Sequence, residues 1–218
     1  SGISVENDQG EGRYVTVRGM NTDLNAMTIN GVSTASPEDR RGVILDGVPT
    51  DLLDSMTVYK TLTPNLDADT IGGAIDLETI SAFSYGSNFV KFKAETSRND
   101  LTKDSSNPKL SGTYTTVIPQ ENGDLGIAFV ISSQERRIKA ENNETGGWGS
   151  TYVDDDYEMR YYDLTRERDG IVLNLDYVSN SGSKTYLHLF HNEYEDVEYR
   201  AKWEVRDVME EYTPTISG

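Results

Sequence analysis

The stretch Ile171-Val172-Leu173-Asn174-Leu175-Asp176-Tyr177-Val178 decides the reading of the fold. Successive side chains of an extended chain point to opposite faces, so Ile171, Leu173, Leu175 and Tyr177 share one side and Asn174 and Asp176 the other. Leu125–Ile131 repeats the pattern, with Leu125, Ile127, Phe129 and Ile131 opposite Gly126, Ala128 and Val130. Outward from these two, the alternation predicts strands over Phe89–Thr96, Leu110–Ile118, Leu125–Ile138, Arg160–Val178 and Lys184–Tyr199. Between them lie a long polar link, Arg98–Lys109, and a short turn, Pro119–Asp124, holding Asn122-Gly123. A long acidic Gly-rich link, Lys139–Tyr157, and a short turn, Ser179–Ser183, complete the series. Beyond about Arg200 the pattern turns polar and irregular.

Several of these strands exceed the usual length of about 5–6 residues. They reach the roughly 9–11 residues of a tilted bilayer-crossing strand. Long links at one end and tight turns at the other describe an up-and-down antiparallel meander of the kind that builds membrane β-barrels. Tyr161, Tyr162, Tyr177, Tyr186 and Tyr194 fall in strands, where an aromatic girdle would place them, though tyrosine is also a good strand former.

Composition limits the function. The chain has 218 residues, 20 Lys+Arg, 37 Asp+Glu, two His, no Cys and a net charge of −17. Without cysteine there is no disulfide framework, thiolate metal site or cysteine nucleophile. So acidic a chain lacks the cation density that phosphate backbones require, so a nucleic-acid partner is not expected. No apolar run is long enough for a transmembrane helix, and Ser1-Gly2-Ile3-Ser4 has no signal-peptide character. His188 and His191 lie three apart on a strand and face opposite ways, so no shared metal is expected. Catalytic motifs of the Gly-x-Ser-x-Gly or His-Glu-x-x-His kind are absent, and neither enzyme activity nor a cofactor is expected.

Residues 1–80 have a different texture, with small elements between Gly-marked turns. Arg13–Val17 and Ala74–Thr79 read as strands, and Asn30-Gly31 between apolar positions signals a hairpin. Asp51–Met56 fits one or two helical turns with Thr50 or Asp51 as N-cap, followed by a strand through Lys60. A mixed α/β unit results. Four motifs occur in order: Tyr14-Val15-Thr16-Val17-Arg18-Gly19-Met20, Thr28-Ile29-Asn30-Gly31-Val32, Asp51–Lys60 and Asp69–Thr79. Together they resemble the plug domain of TonB-dependent outer-membrane receptors over essentially all of residues 11–80. The stretch Val58–Asp69 is most similar to a subgroup often linked to oligosaccharide uptake, whereas iron chelates are the commoner cargo of the family.

The resemblance implies a mixed α/β plug, residues 1–80, followed by about the first five antiparallel strands of a 22-stranded transmembrane β-barrel, residues 81–218. It implies residence in the bacterial outer membrane, contact with its lipid, and an extracellular small-molecule or oligosaccharide substrate. TonB of the inner-membrane energising complex would act through a segment outside these residues. Two plug loops would face the substrate, one with Asn21, Asp23 and Asn25, the other with Ser36, Glu38, Asp39, Arg40 and Arg41. Their amide, carboxylate and guanidinium groups suit hydroxyl-rich sugars, and the adjacent cations Arg40 and Arg41 suit an anion equally well. Trp148, among glycines, is the extracellular-loop candidate, able to stack on a sugar or sit at a membrane interface. The run Asp154-Asp155-Asp156 lacks calcium-loop spacing and reads as solvated charge. Arg18, Gly72 and Gly73 would mark the plug–barrel contact, with the guanidinium pairing barrel carboxylates. The rival reading is a soluble secreted all-β module binding glycans or cations. The strand faces separate the two: a barrel needs an apolar face on every strand, which in Phe89–Thr96 can only be Val90, Phe92 and Ala94 opposite Lys91 and Lys93.

Overall fold

The computed structural model describes residues 2–34, 36, 42, 44–61, 63, 71–86, 88–103, 107–145 and 157–205. Strands β1 (Ile3–Asp8) and β2 (Glu11–Val17) form an antiparallel hairpin through Gln9-Gly10, both at positive φ. Strands β3 (Asn25–Ile29) and β4 (Val32–Ser33) form a second hairpin. Its turn, Asn30 at φ 51° and Gly31 at φ 77°, has the two left-handed residues that a right-twisted two-residue hairpin demands. Strands β5 (Leu53–Tyr59) and β6 (Gly73–Thr79) complete a sheet of order β4-β3-β6-β5, in which β3 and β6 run parallel. Val15, Val17, Met27, Ile29, Val48, Ile75 and Leu77 pack between the hairpin and this sheet.

Helix is scarcer here than the sequence suggests. Thr50–Leu52 is one 3-10 turn without a side-chain cap, and the chain becomes strand at Leu53. The Asp51 carboxylate is engaged elsewhere, by two lysines, so it cannot cap. Two further 3-10 turns, Thr22–Leu24 and Leu45–Gly47, and the four-residue helix α1 (Ala82–Tyr85) are the other helical elements among the described residues. Ser81 caps α1 by accepting from the Phe83 N–H at 3.3 Å, and Gly86 ends it in the left-handed conformation.

The second sheet is an open antiparallel meander of five strands in chain order: β7 (Phe89–Thr96), β8 (Pro108–Gln120), β9 (Gly123–Thr145), β10 (Tyr157–Ser179) and β11 (Lys184–Val205). β9, β10 and β11 run well beyond the expected ends. The apolar alternation fades there while the backbone ladder continues. Polar cross-strand pairs replace apolar ones, with Lys139 opposite Asp163 at 3.3 Å and Lys202 bonded to Glu158 at 2.8 Å. Residues 139–145 are therefore strand, not loop.

One face of this sheet packs on the N-terminal region and the other points away. On β10 the even-numbered side chains from Tyr162 to Asn174 are inward and buried. The outward face carries Val90 and Phe92 on β7, Tyr114 on β8, Ile127, Phe129 and Ile131 on β9, Ile171, Leu173 and Leu175 on β10, and Leu187 and Leu189 on β11, aligned by register. Phe92 is 85% exposed, while Lys93 points inward. Tyr161 and Tyr177 lie on the outward face. Tyr162, Tyr186 and Tyr194 share the inward register, so they cannot belong to an outer girdle.

Candidate functional site

Where the N-terminal region meets the meander, charge is gathered in an otherwise apolar seam. Arg166 and Arg168 sit two apart on β10 and so share its inward face. Register places Arg136 of β9 on one side of Arg166 and Asp196 of β11 on the other. Three neighbouring guanidinium groups would repel, and the β1–β2 hairpin inserts the Glu11 carboxylate among them. Arg166 Nη1 donates to Glu11 Oε2 at 2.6 Å, Arg168 Nη2 donates to the same oxygen at 3.1 Å, and Arg136 Nη1 donates to Oε1. Asp46, from the Leu45–Gly47 turn, accepts from Arg168 at 3.1 Å and lies 3.7 Å from Arg166 and 3.5 Å from Arg13 Nε. Gln9 Oε1 accepts from Arg166 Nη2, Asp196 accepts from Arg166 Nε at 3.1 Å, and Arg168 lies over the Tyr194 ring.

The Arg166 side chain is 0% exposed, so the network is desolvated. Burial raises the Glu11 carboxyl, but the Arg166 hydrogen bond and the charges of Arg168 and Arg136 outweigh it, holding the group below its ordinary 4.5. A cavity of about 390 Å³ adjoins the network, lined by Gly10, Glu11, Asp46, Pro49, Arg136 and Arg168 among others.

A second anchor lies on the Thr50–Leu52 turn. Asp51 forms ion pairs with Lys109 at 2.6 Å and with Lys93 at 3.5 Å. Burial raises this carboxyl too, and the two lysines pull it below its ordinary 3.8. Next to it Leu52 is fully buried in a notch in β10 that exists because residue 170 is glycine. A Cβ there would collide with Leu52 Cδ1 and lie 3.4 Å from Pro49 Cγ. Around it Leu52, Ile80, Ala82, Ala128, Val130 and Val172 form an apolar cluster across the seam. A third anchor is polar: Asn174 donates to Thr79 Oγ1 at 2.7 Å and to the Ile80 carbonyl at 2.9 Å. Ser81 donates to Asp176 at 2.7 Å, and His188 Nε2 also bonds Asp176, at 2.8 Å.

A small folded unit is thus held against a strand wall by salt bridges and amide bonds around a modest apolar patch. Residues 1–74 match the family model for the TonB-dependent receptor plug domain. This chain carries a TonB-dependent receptor plug. No curated protein matches it. Among solved structures, a mutant of the ferric enterobactin receptor PfeA from Pseudomonas aeruginosa is similar at 13% identity and a TM-score of 0.42, over 94% of this chain and 37% of that one. The chain therefore spans little more than a third of that structure's length.

The seam contacts of the plug come from residues that sequence reasoning does not single out. Arg18, expected there, sits at φ 56° and donates from Nη2 to the Gly72 carbonyl at 2.8 Å, within the plug. Gly72 and Gly73 are also tight against plug neighbours. A Cβ on Gly72 would strike the Asn25 side chain, and one on Gly73 would lie 2.9 Å from the Tyr59 carbonyl and from Val17 Cγ1. Asn21 caps the Thr22–Leu24 turn by accepting from the Asp23 N–H at 2.9 Å, and Asp23 accepts from the Gly42 N–H at 2.9 Å. Asn25 opens β3 rather than lying on a loop, and it is buried, donating to the Val15 carbonyl at 3.0 Å. Glu38, Asp39, Arg40 and Arg41, like Trp148 and Asp154-Asp155-Asp156, lie outside the described residues.

Of the seam cations, Lys93 and Lys109 leave a signal in the sequence, each beside an apolar residue that faces the other way, Phe92 and Leu110. Arg136, Arg166 and Arg168 stand among polar and charged neighbours, Glu135, Arg137, Thr165, Glu167 and Asp169, so alternation does not mark them.

Proposed function

We propose that residues 1–80 form the plug and residues 81–218 the opening strands of a closed β-barrel in the bacterial outer membrane. The complete receptor imports a scarce nutrient, an oligosaccharide or an iron chelate, when TonB draws the plug aside. The ionic seam carries this reading. Apolar contacts of the same volume would hold a permanent plug at least as well as buried ion pairs do. Ion pairs behave differently once separated. Drawn apart into a wet lumen, carboxylates and guanidinium groups regain hydration, whereas a parted apolar interface would stay costly to expose.

The outward face supports the membrane. Its apolar stretch from Leu125 to Ile131 covers about 20 Å of strand at ~3.3 Å per residue, or about 15 Å of height at a ~40° tilt, within the roughly 25 Å lipid-facing band of such barrels. Above it, on the same face, register sets Glu135, Glu167, Asp169, Glu193 and Glu195. The plug's role is transport, not chemistry, and no cofactor is required. The test is fractionation of the native full-length product against an outer-membrane marker, with migration on a gel before and after boiling. An outer-membrane band that shifts on boiling is expected. A soluble product without a heat shift would refute the barrel and favour the secreted binding module.

A further inference from the structure

The inward face of β7–β10 holds five cations within three successive rows: Lys93, Lys109, Arg136, Arg166 and Arg168. Lys109, Gln134 and Arg168 are direct cross-strand neighbours, Arg136 and Arg166 lie one row above, and Lys93 lies one row below. Adjacent strands are about 4.8 Å apart, so the belt is roughly 15 Å wide. The wall itself supplies two carboxylates to this belt, Asp196 to Arg166 at 3.1 Å and Glu95 to Lys93 at 2.6 Å. The plug supplies three, Glu11, Asp46 and Asp51. Docked, the belt is balanced. With the plug withdrawn, five cations face the lumen against two carboxylates.

The belt is no accident of composition, because the chain as a whole carries −17. The opposite face is mostly acidic: just above the apolar band of β9–β11 the outward positions include Glu135, Glu167, Asp169, Glu193 and Glu195, beside the cation Arg137, which pairs with Glu135 at 2.8 Å. A wall that needed only to seat a plug could use neutral amides, as Asn174 and Asn192 do.

We propose that this belt is an anion track, masked by the plug carboxylates and uncovered when the plug leaves, so that the imported solute is a multiply charged anion. The inference rests on the plug-and-barrel reading and narrows it. Charge-assisted bonds from arginine suit carboxylate and sulfate oxygens, which can replace Glu11 and Asp46 one for one. Acidic oligosaccharides and anionic ferric chelates share this chemistry, and neutral glycans lack it.

The test uses the full-length receptor in planar bilayers, with urea added on one side to loosen the plug and a potassium chloride gradient across the membrane. The reversal potential is expected to favour chloride several-fold, because a lumen lined by one sign of charge concentrates its counter-ion. Arg136→Gln and Lys109→Gln, verified by an unchanged heat shift, are expected to move that ratio toward unity. Oligogalacturonate and ferric citrate are then added as blockers beside a neutral malto-oligosaccharide of equal length. Block by one acidic probe and not the neutral one supports the track and identifies the source of the anion. A cation-selective or unselective current, equal block by the neutral probe, or no block by either acid overturns the track while leaving the barrel intact. Absence of any conductance overturns the barrel reading and the track together.

Discussion

Glu11→Ala is the perturbation on which the seam stands or falls. In the wild type this one carboxylate takes hydrogen bonds from Arg166, Arg168 and Arg136, of which Arg166 is fully buried. Truncation leaves three guanidinium groups facing one another, with Asp46 and Asp196 as the remaining carboxylates that pair with them. Removing one partner from a buried ion pair costs about 3–5 kcal/mol, most of it the uncompensated charge left behind. Plug displacement hydrates those guanidinium groups, so the cost falls on the docked state. Each ~1.4 kcal/mol is tenfold, so the undocked population should rise roughly 10²- to 10³-fold. The assay is spontaneous channel opening of the full-length receptor in planar bilayers without urea. Glu11→Gln keeps the shape and one acceptor oxygen but not the charge, and should fall between Ala and wild type. Opening frequency unchanged in Glu11→Ala would refute the claim that the ionic network holds the plug.

Gly170→Val should unseat the Leu52 turn, because the new side chain occupies the Leu52 notch. Overpacking of this kind costs typically about 1–3 kcal/mol, and Leu52→Ala in the same chain should restore closure, read as current and as protection of residues 44–61 from protease. Docking should also depend on pH with a definite sign. Glu11 and Asp51 are held below their ordinary 4.5 and 3.8 when docked, so their contribution is complete above those values and is lost as pH falls through the docked ones. Opening should stay flat from about pH 7 to 5 and rise below about 4, and a rise between about 7 and 6 would contradict this. Asn174→Leu removes the donor to Thr79 and the Ile80 carbonyl and should cost about 1–3 kcal/mol of docking, measured by the same opening frequency.

The meander is legible in the sequence because one face of each strand is apolar and the signal has period two. Ile171–Val178 and Leu125–Ile131 appear in the structure with the faces their alternation assigns. The strand ends are not legible where the alternation stops but the ladder does not. Lys139 and Asp163 hold strands together by charge, and a polar strand cannot be told from a loop by hydropathy. The Asn30-Gly31 hairpin is readable from turn chemistry alone. The one or two helical turns expected over Asp51–Met56 shrink to the uncapped 3-10 turn Thr50–Leu52, because Asp51 serves lysines from strands about 40 and 60 residues away, a contact that local propensity does not contain. The seam arginines escape a sequence reading for the same reason. Glu11 and Arg166 are 155 residues apart, and nothing near either marks the other as its partner. Asn25 reads as a loop amide and is a buried one, since an Asn before an apolar run suits a turn and a strand start equally.

The β1–β2 hairpin has a mechanical consequence. A pull arriving from the N-terminal side first meets Arg18 N–H on the Gly2 carbonyl, then the Ile3–Val17 pair, and only last the Asp8–Glu11 pair at the hairpin turn. Loaded this way the hairpin is a zipper, opened one rung at a time at low force, not a shear joint whose bonds resist together. Peeling β1 takes up about 20 Å of travel at ~3.3 Å per residue before tension reaches Glu11. The slack lets a short or misdirected tug be absorbed and re-zipped. Only a sustained stroke loads the arginine knot, which makes the hairpin a threshold that filters force by distance.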